Sequence, residues 1–166
     1  MKHPLPAEGL LHPVAVGAVV LLILNDHVFK ALWPGLVTGK LSDVAGMIFF
    51  PILLQGLVEL GQAGAGHVAG PRLGTLAVSC LLTALVFTWV KTSPAGAEAY
   101  RHVLGMLQWP PRMVFALLSG QGPVTPGLVR YVRDPSDVVA VPGVLVALCL
   151  GWQRRAVQQR DVGVTL

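Results

Sequence analysis

LILNDHVFKALWPGLVTGKLSDVAGMIFFPILL, residues 22–54, is the stretch that decides the fold class. An apolar run ending at Leu24 passes directly into Asn25, Asp26, His27 and Lys30. A second apolar run begins straight after Lys40, Ser42 and Asp43. An ionisable side chain at the centre of a bilayer costs about 2.5–3.5 kcal/mol on insertion scales. Charges placed at the inner ends of two membrane-grade segments therefore need something that offsets that cost. The stretch reads as two membrane helices with a polar site near one face.

The rest of the chain supports that reading. Of the 166 residues, 54% are hydrophobic and 12% charged, and the mean hydropathy is +0.67. Soluble domains carry about 25% charged residues, and a chain of this length could not cover so apolar a composition with polar surface. Lys2, His3 and the apolar run 15–24 imitate a secretory leader, but no small-residue cleavage pattern follows, so the segment is expected to remain as a helix. Cys80 and Cys149 lie within apolar runs without a His or Cys partner nearby and read as packing groups. The net charge of +4 suits a protein beside a lipid bilayer with anionic headgroups. There is no basic stripe with interleaved aromatics, so nucleic acid is not expected as a partner. The pattern specifies no cofactor and no protein partner.

A spanning helix needs about 20 apolar residues, with a range of about 17–25. Four segments meet this: 11–33, 42–60, 73–90 and 136–152. Pro51 and Pro142 fall inside the second and fourth, where neighbouring helices can re-satisfy a freed carbonyl. Residues 61–70 read as a short turn. The 91–135 connection is far longer than a simple loop. Within it, 97–109 is amphipathic: Tyr100, Val103, Leu104 and Leu107 share one face, and Glu98, Arg101 and His102 take the other. Pro110-Pro111 is expected to end that helix. A short apolar piece, 112–118, and a Gly/Pro loop, 119–129, follow. The fold expected is all-α, a transmembrane bundle of four spanning helices with an interfacial amphipathic segment over about 95–120, in one membrane domain. LSDVA at 41–45 and PSDVV at 135–139 suggest a degenerate repeat of two helix pairs, the arrangement of some transporters.

LNDHVFK (24–30), TGKLSDVAG (38–46) followed by FFP (49–51), YRHVLGMLQWP (100–110) and RDPSDVVAVP (133–142) together resemble a family of uncharacterised small integral membrane proteins from bacteria. The resemblance runs from Leu24 to Pro142. It implies a multi-pass protein of the bacterial cytoplasmic (inner) membrane and adds no reaction.

The candidate binding residues are Asn25, Asp26, His27, Lys30, Lys40, Ser42, Asp43, Lys91 and Asp137. Asp26 and Lys30 are four apart with the acid first, the favourable order for a helical ion pair. His27 points about 100° away from that face. Ser42 and Asp43 carry the residue types of a helix start, and Asp134-Pro135-Ser136-Asp137 is a clearer one, with Asp134 as cap and Pro135 as the first helical residue. If the helices alternate, Asp26, Asp43 and Asp137 lie toward one face, where carboxylates and His27 could hold a divalent metal; no segment has a recognised ligand spacing. Thr38-Gly39-Lys40 lacks the upstream glycines of a phosphate loop. Lys40, Lys91, Arg101, Arg130 and Arg133 gather toward the same face and could meet lipid phosphates. Ser42 has no histidine tied to it, so no nucleophile–base pair is identifiable. The sequence favours a membrane component that binds or transports a small solute or ion, or that serves as a structural subunit. The alternative is an interfacial enzyme acting on a lipid-linked phosphate or ester. The dense Arg154-Arg155 pair directly after the last span points to both termini being cytoplasmic.

Overall fold

In the computed structural model, which describes residues 5–67 and 70–163, four helical segments are long and apolar enough to cross a bilayer. They are Pro13–Leu32 (α1), Leu36–Gly64 (α2), Leu73–Thr92 (α3) and Pro135–Ala156. The last is a 3₁₀ helix, Pro135–Gly143, that runs into an α-helix, Val144–Gly163 (α5). Between α3 and this segment lies Pro94–Leu118 (α4). The described residues contain no strand, so the protein is all-helical. Burial runs opposite to that of a water-soluble bundle. Val16, Val20, Leu57, Leu81 and Leu85 face outward, while Asn25, Gln55, Glu59, Lys91 and Asp137 are buried. Outward-facing apolar side chains on every span cost nothing where the solvent is hydrocarbon, and polar groups must then turn inward to find partners. This is a multi-pass membrane protein.

Two compact units make up the chain: Met1–Leu85 with Val139–Leu166, and Val86–Val138. In the first, the interior of the bundle is built from small residues: Ala15, Ala18, Ala45, Ala140 and Ala147. Lipid supplies no hydrophobic drive between helices, so close backbone approach takes its place. α1 and α2 form an antiparallel hairpin pinned by Asn25, and α2 and α3 a second, where the Gln55 amide reaches the Arg72 carbonyl at 3.5 Å. The 3₁₀ helix meets α2 at Gly143, beside Val44 and Met47, and α5 meets α3 at Gly151, where an added Cβ would collide with the Leu76 side chain. At the far end Arg154 donates to the Gly9 carbonyl at 3.4 Å. That contact brings the two ends of the described chain to the same end of the bundle, as an even number of spans requires. Lys2 and His3, which imitate a leader's basic start, lie outside the described residues.

α2 begins six residues earlier than the sequence suggests. Only Trp33, Pro34 and Gly35 separate it from α1. The Thr38 hydroxyl accepts the Gly35 N–H at 3.1 Å and donates to the Trp33 carbonyl at 2.9 Å. Thr38 thus does the capping expected of Ser42, and Ser42 and Asp43 sit inside the helix. The suggested repeat is weakened by the same fact: 41–45 is mid-α-helix, whereas 135–139 is 3₁₀. At Asp134 the capping reading does describe the geometry, since its carboxylate accepts the Ser136 N–H at 2.9 Å and hydroxyl at 2.7 Å.

His12 caps α1, its Nδ1 accepting the Val14 N–H at 3.2 Å. Burial, and then the Arg154 charge, hold its pKa below the ordinary 6.5. The folded chain resists a proton that the unfolded chain takes up, so stability falls as pH drops through 6.5 toward the lowered value. Protonation also removes the acceptor that makes the cap. Thermal unfolding midpoints in detergent should therefore decline from pH 7 to pH 5 in the wild type. His12→Asn, which caps without titrating, should flatten that part of the profile; an unchanged slope would exclude His12 as its source.

In the second unit α3 turns into α4 through one residue, Ser93, whose N–H bonds to the Trp89 carbonyl at 2.9 Å. α4 does not stop at Pro110-Pro111; it continues to Leu118. Proline fixes φ at a helical value and forfeits a hydrogen bond, and the segment after the helix packs against α4 around the two prolines. Residues 121–131 run back along α4 as an extended strap. The Trp109 indole donates to the Val124 carbonyl at 2.7 Å, and the Val124 N–H lies 3.3 Å from the Met113 sulfur, so the strap grips α4 on both sides of the prolines. Further along, Arg101 Nε donates to the Val129 carbonyl at 3.2 Å, and the Tyr100 and Tyr131 rings lie 4.9 Å apart. Gly105 is needed where the Gly127 carbonyl packs against α4, because a Cβ would overlap that oxygen. α4 is amphipathic as expected, with Val103, Met106 and Leu107 exposed on its apolar side.

Candidate functional site

The polar end of α1 is not a regular α-helix. Asn25–Phe29 forms a π turn, with the Lys30 N–H bonded to the Asn25 carbonyl. Such turns insert one extra residue and occur often at functional positions. The widened turn carries Asn25 fully inside, at 0% exposure. Its Nδ2 donates to the Thr38 carbonyl at 2.7 Å and to Ser42 Oγ at 2.6 Å. Because a carbonyl can only accept, the amide orientation is fixed by Thr38. The Ser42 hydroxyl, having accepted from Asn25, donates to Asp26 Oδ1 at 2.7 Å, and Lys30 Nζ donates to the same oxygen at 2.6 Å. A directional relay results, from Asn25 through Ser42 to Asp26, closed by Lys30. Asn25 Oδ1 is buried and has no hydrogen-bond partner. A buried carbonyl left in that state costs about 1–3 kcal/mol.

Of the residues expected at the site, Asn25, Asp26, Lys30 and Ser42 meet here. His27 is exposed and takes no part in the relay. Lys40 and Asp43 are half-buried on α2 and make interactions of their own. Lys91 and Asp137 belong to the second unit, where they form a buried ion pair at 2.6 Å. Lys91 Nζ also lies 5.2 Å from the Phe87 ring centroid and 5.7 Å from that of Tyr131. Just beside it Arg133 donates to the Thr92 carbonyl at the α3 C-terminus, at 2.8 Å. Asp137 therefore does more than begin a helix. Among the described residues no three His, Cys, Asp or Glu side chains cluster as a metal site would require.

Thr38 was not among the residues expected at the site. It supplies both the α2 cap and an acceptor for Asn25, and its only trace in the sequence is a Gly-x-x-Thr spacing. Glu59, buried at the opposite end of α2, accepts the Ala7 N–H at 2.8 Å; an acid so far along an apolar helix is itself a signal. No protein-family model, curated protein or solved structure matches this chain. The fold and the site together define a four-span helical membrane protein with a polar corner where its first two helices meet.

Proposed function

We propose that the protein is a binding or transport component of the bacterial cytoplasmic membrane that takes a small polar solute at the Asn25–Ser42–Asp26 corner. What carries the reading is the fully buried, unpartnered Asn25 Oδ1 in a π turn inside a membrane span. The unmet acceptor calls for a hydrogen-bond donor, and the adjoining Asp26 supplies a carboxylate that Lys30 already neutralises. Within this corner of the first unit the net charge is zero, which favours a neutral donor over a bare cation, because a cation would first have to displace Lys30.

Calorimetric titration of the purified protein with small amides, amines and polyols, and with alkali and divalent cations as a separate arm, tests this. Saturable binding of a donor solute is expected, weakened at least about tenfold in Asp26→Asn, in line with about 1.5–3 kcal/mol for a hydrogen bond to a charged group. Saturable binding confined to cations would replace the solute with an ion. Absence of saturable binding in both arms would leave the relay as a structural clasp.

A further inference from the structure

The opposite end of the first unit carries a second polar feature. A cavity of about 560 Å³ opens where α2, the start of α3 and α5 converge; Ile52, Leu76 and Ala147 are among its apolar lining, while Gln55, Arg72, Arg154 and Arg155 also line it. An adjoining depression of about 530 Å³ shares Arg154 and Leu150 with it and is edged by Glu8 and His12. Three guanidinium groups therefore border one hollow. Arg154 bonds the Gly9 carbonyl. Among the side chains described, which run to Ala156, none of the three forms an ion pair with an acid, Glu8 included. Arg72 stands just before the first residue of α3, and Arg154 and Arg155 close the last span at Ala156, so all three lie where spans end and headgroups begin. Like charges gathered without counterions repel one another, and an anion placed among them removes that cost. The floor beneath them is apolar, so the anion that fits carries a hydrocarbon body.

We propose that this cavity binds one acidic phospholipid, its phosphate held by Arg72, Arg154 and Arg155 and its glycerol and upper acyl chain seated on Pro71, Leu73 and Leu150, which are partly exposed there. Guanidinium forks match phosphate oxygens in pairs. The site is distinct from the Asn25 corner and does not depend on what that corner binds.

The test uses the full chain in nanodiscs of one part phosphatidylglycerol to three parts phosphatidylcholine, with native mass spectrometry counting the lipid retained. The wild type should keep one phosphatidylglycerol in preference to phosphatidylcholine. Arg72→Gln and Arg155→Gln should each weaken that preference about fivefold, the share of one basic residue at an anionic surface. Both side chains lie at the surface, so each variant should melt like the wild type in pure phosphatidylcholine. Unchanged lipid preference in both variants would overturn the assignment. Displacement of the lipid by millimolar inorganic phosphate would move the site to a free anion and overturn the lipid. A lowered melting temperature in pure phosphatidylcholine would make the arginines structural and overturn it as well.

Discussion

Lys91→Met is expected to cost about 3–5 kcal/mol of stability, the range for breaking a buried ion pair from one side. The side chains of Lys91 and Asp137 are only 10% and 12% exposed, at 2.6 Å separation. Removing the ammonium takes from the buried Asp137 carboxylate its 2.6 Å Lys91 partner and removes the cation that sits near the Phe87 and Tyr131 rings. Lys91→Met combined with Asp137→Leu should recover most of the loss, because two well-packed apolar groups avoid the desolvation that the ion pair only offsets. Unfolding midpoints of the two single variants and the double variant complete the cycle. Simple additivity would show that the pair is not coupled. The contrast is Asp26–Lys30, equally short at 2.6 Å but with side chains 47% and 41% exposed. Solvent or headgroups screen it, and coupling of about 0.3–0.5 kcal/mol is the order expected for an exposed i,i+4 pair. Distance does not separate these two pairs; burial does.

Asn25→Leu should have the second largest effect. It deletes both donors that join α1 to α2, one to the Thr38 carbonyl and one to Ser42. Ser42 then keeps Asp26 as acceptor but loses the amide that orients it. With about 1 ± 0.5 kcal/mol for each net hydrogen bond, the loss should be about 2 kcal/mol, reduced by the unmet Oδ1 acceptor that leucine also removes. Asn25→Asp separates the two contributions. It keeps the size, loses the donors and adds a charge to a fully buried position, so it should be worse than leucine. Thermal unfolding of both variants in the same detergent decides. If aspartate is tolerated as well as leucine, the corner is wet and the buried-acceptor argument for solute binding fails.

Some of this was readable from the sequence because it depends on near neighbours. Four spans follow from run length against bilayer thickness, and the Asp26–Lys30 pair follows from the helical repeat. The Asp134–Asp137 start is visible because capping is decided within one turn. The corner, Asn25 included, could be named from the sequence, but not which of its residues is the hub. Asp26 draws attention as a charge, yet Asn25 is the buried residue, because a π turn shifts which side chain faces inward and nothing in local composition marks that extra residue. Ser42 reads as a cap until Thr38, one turn earlier, is seen to hold the helix end.

The remaining features depend on contacts distant in sequence. Lys91 and Asp137 are 46 residues apart, and neither residue's neighbours name the other. α4 passes through two prolines where the strap 121–131 bonds to it, at Trp109 before them and Met113 after them, a contact no helix propensity contains. Arg72 meets Arg154 and Arg155 only because α3 and α5 pack closely at Gly151. The sequence alone determined that this chain lives in a bilayer and where it crosses, since the cost of exposing or burying each group is set by the solvent and the local repeat. The tertiary structure alone decided which buried polar groups satisfy one another and which, like Asn25 Oδ1, are left waiting, since that depends on which distant segments the packing brings together.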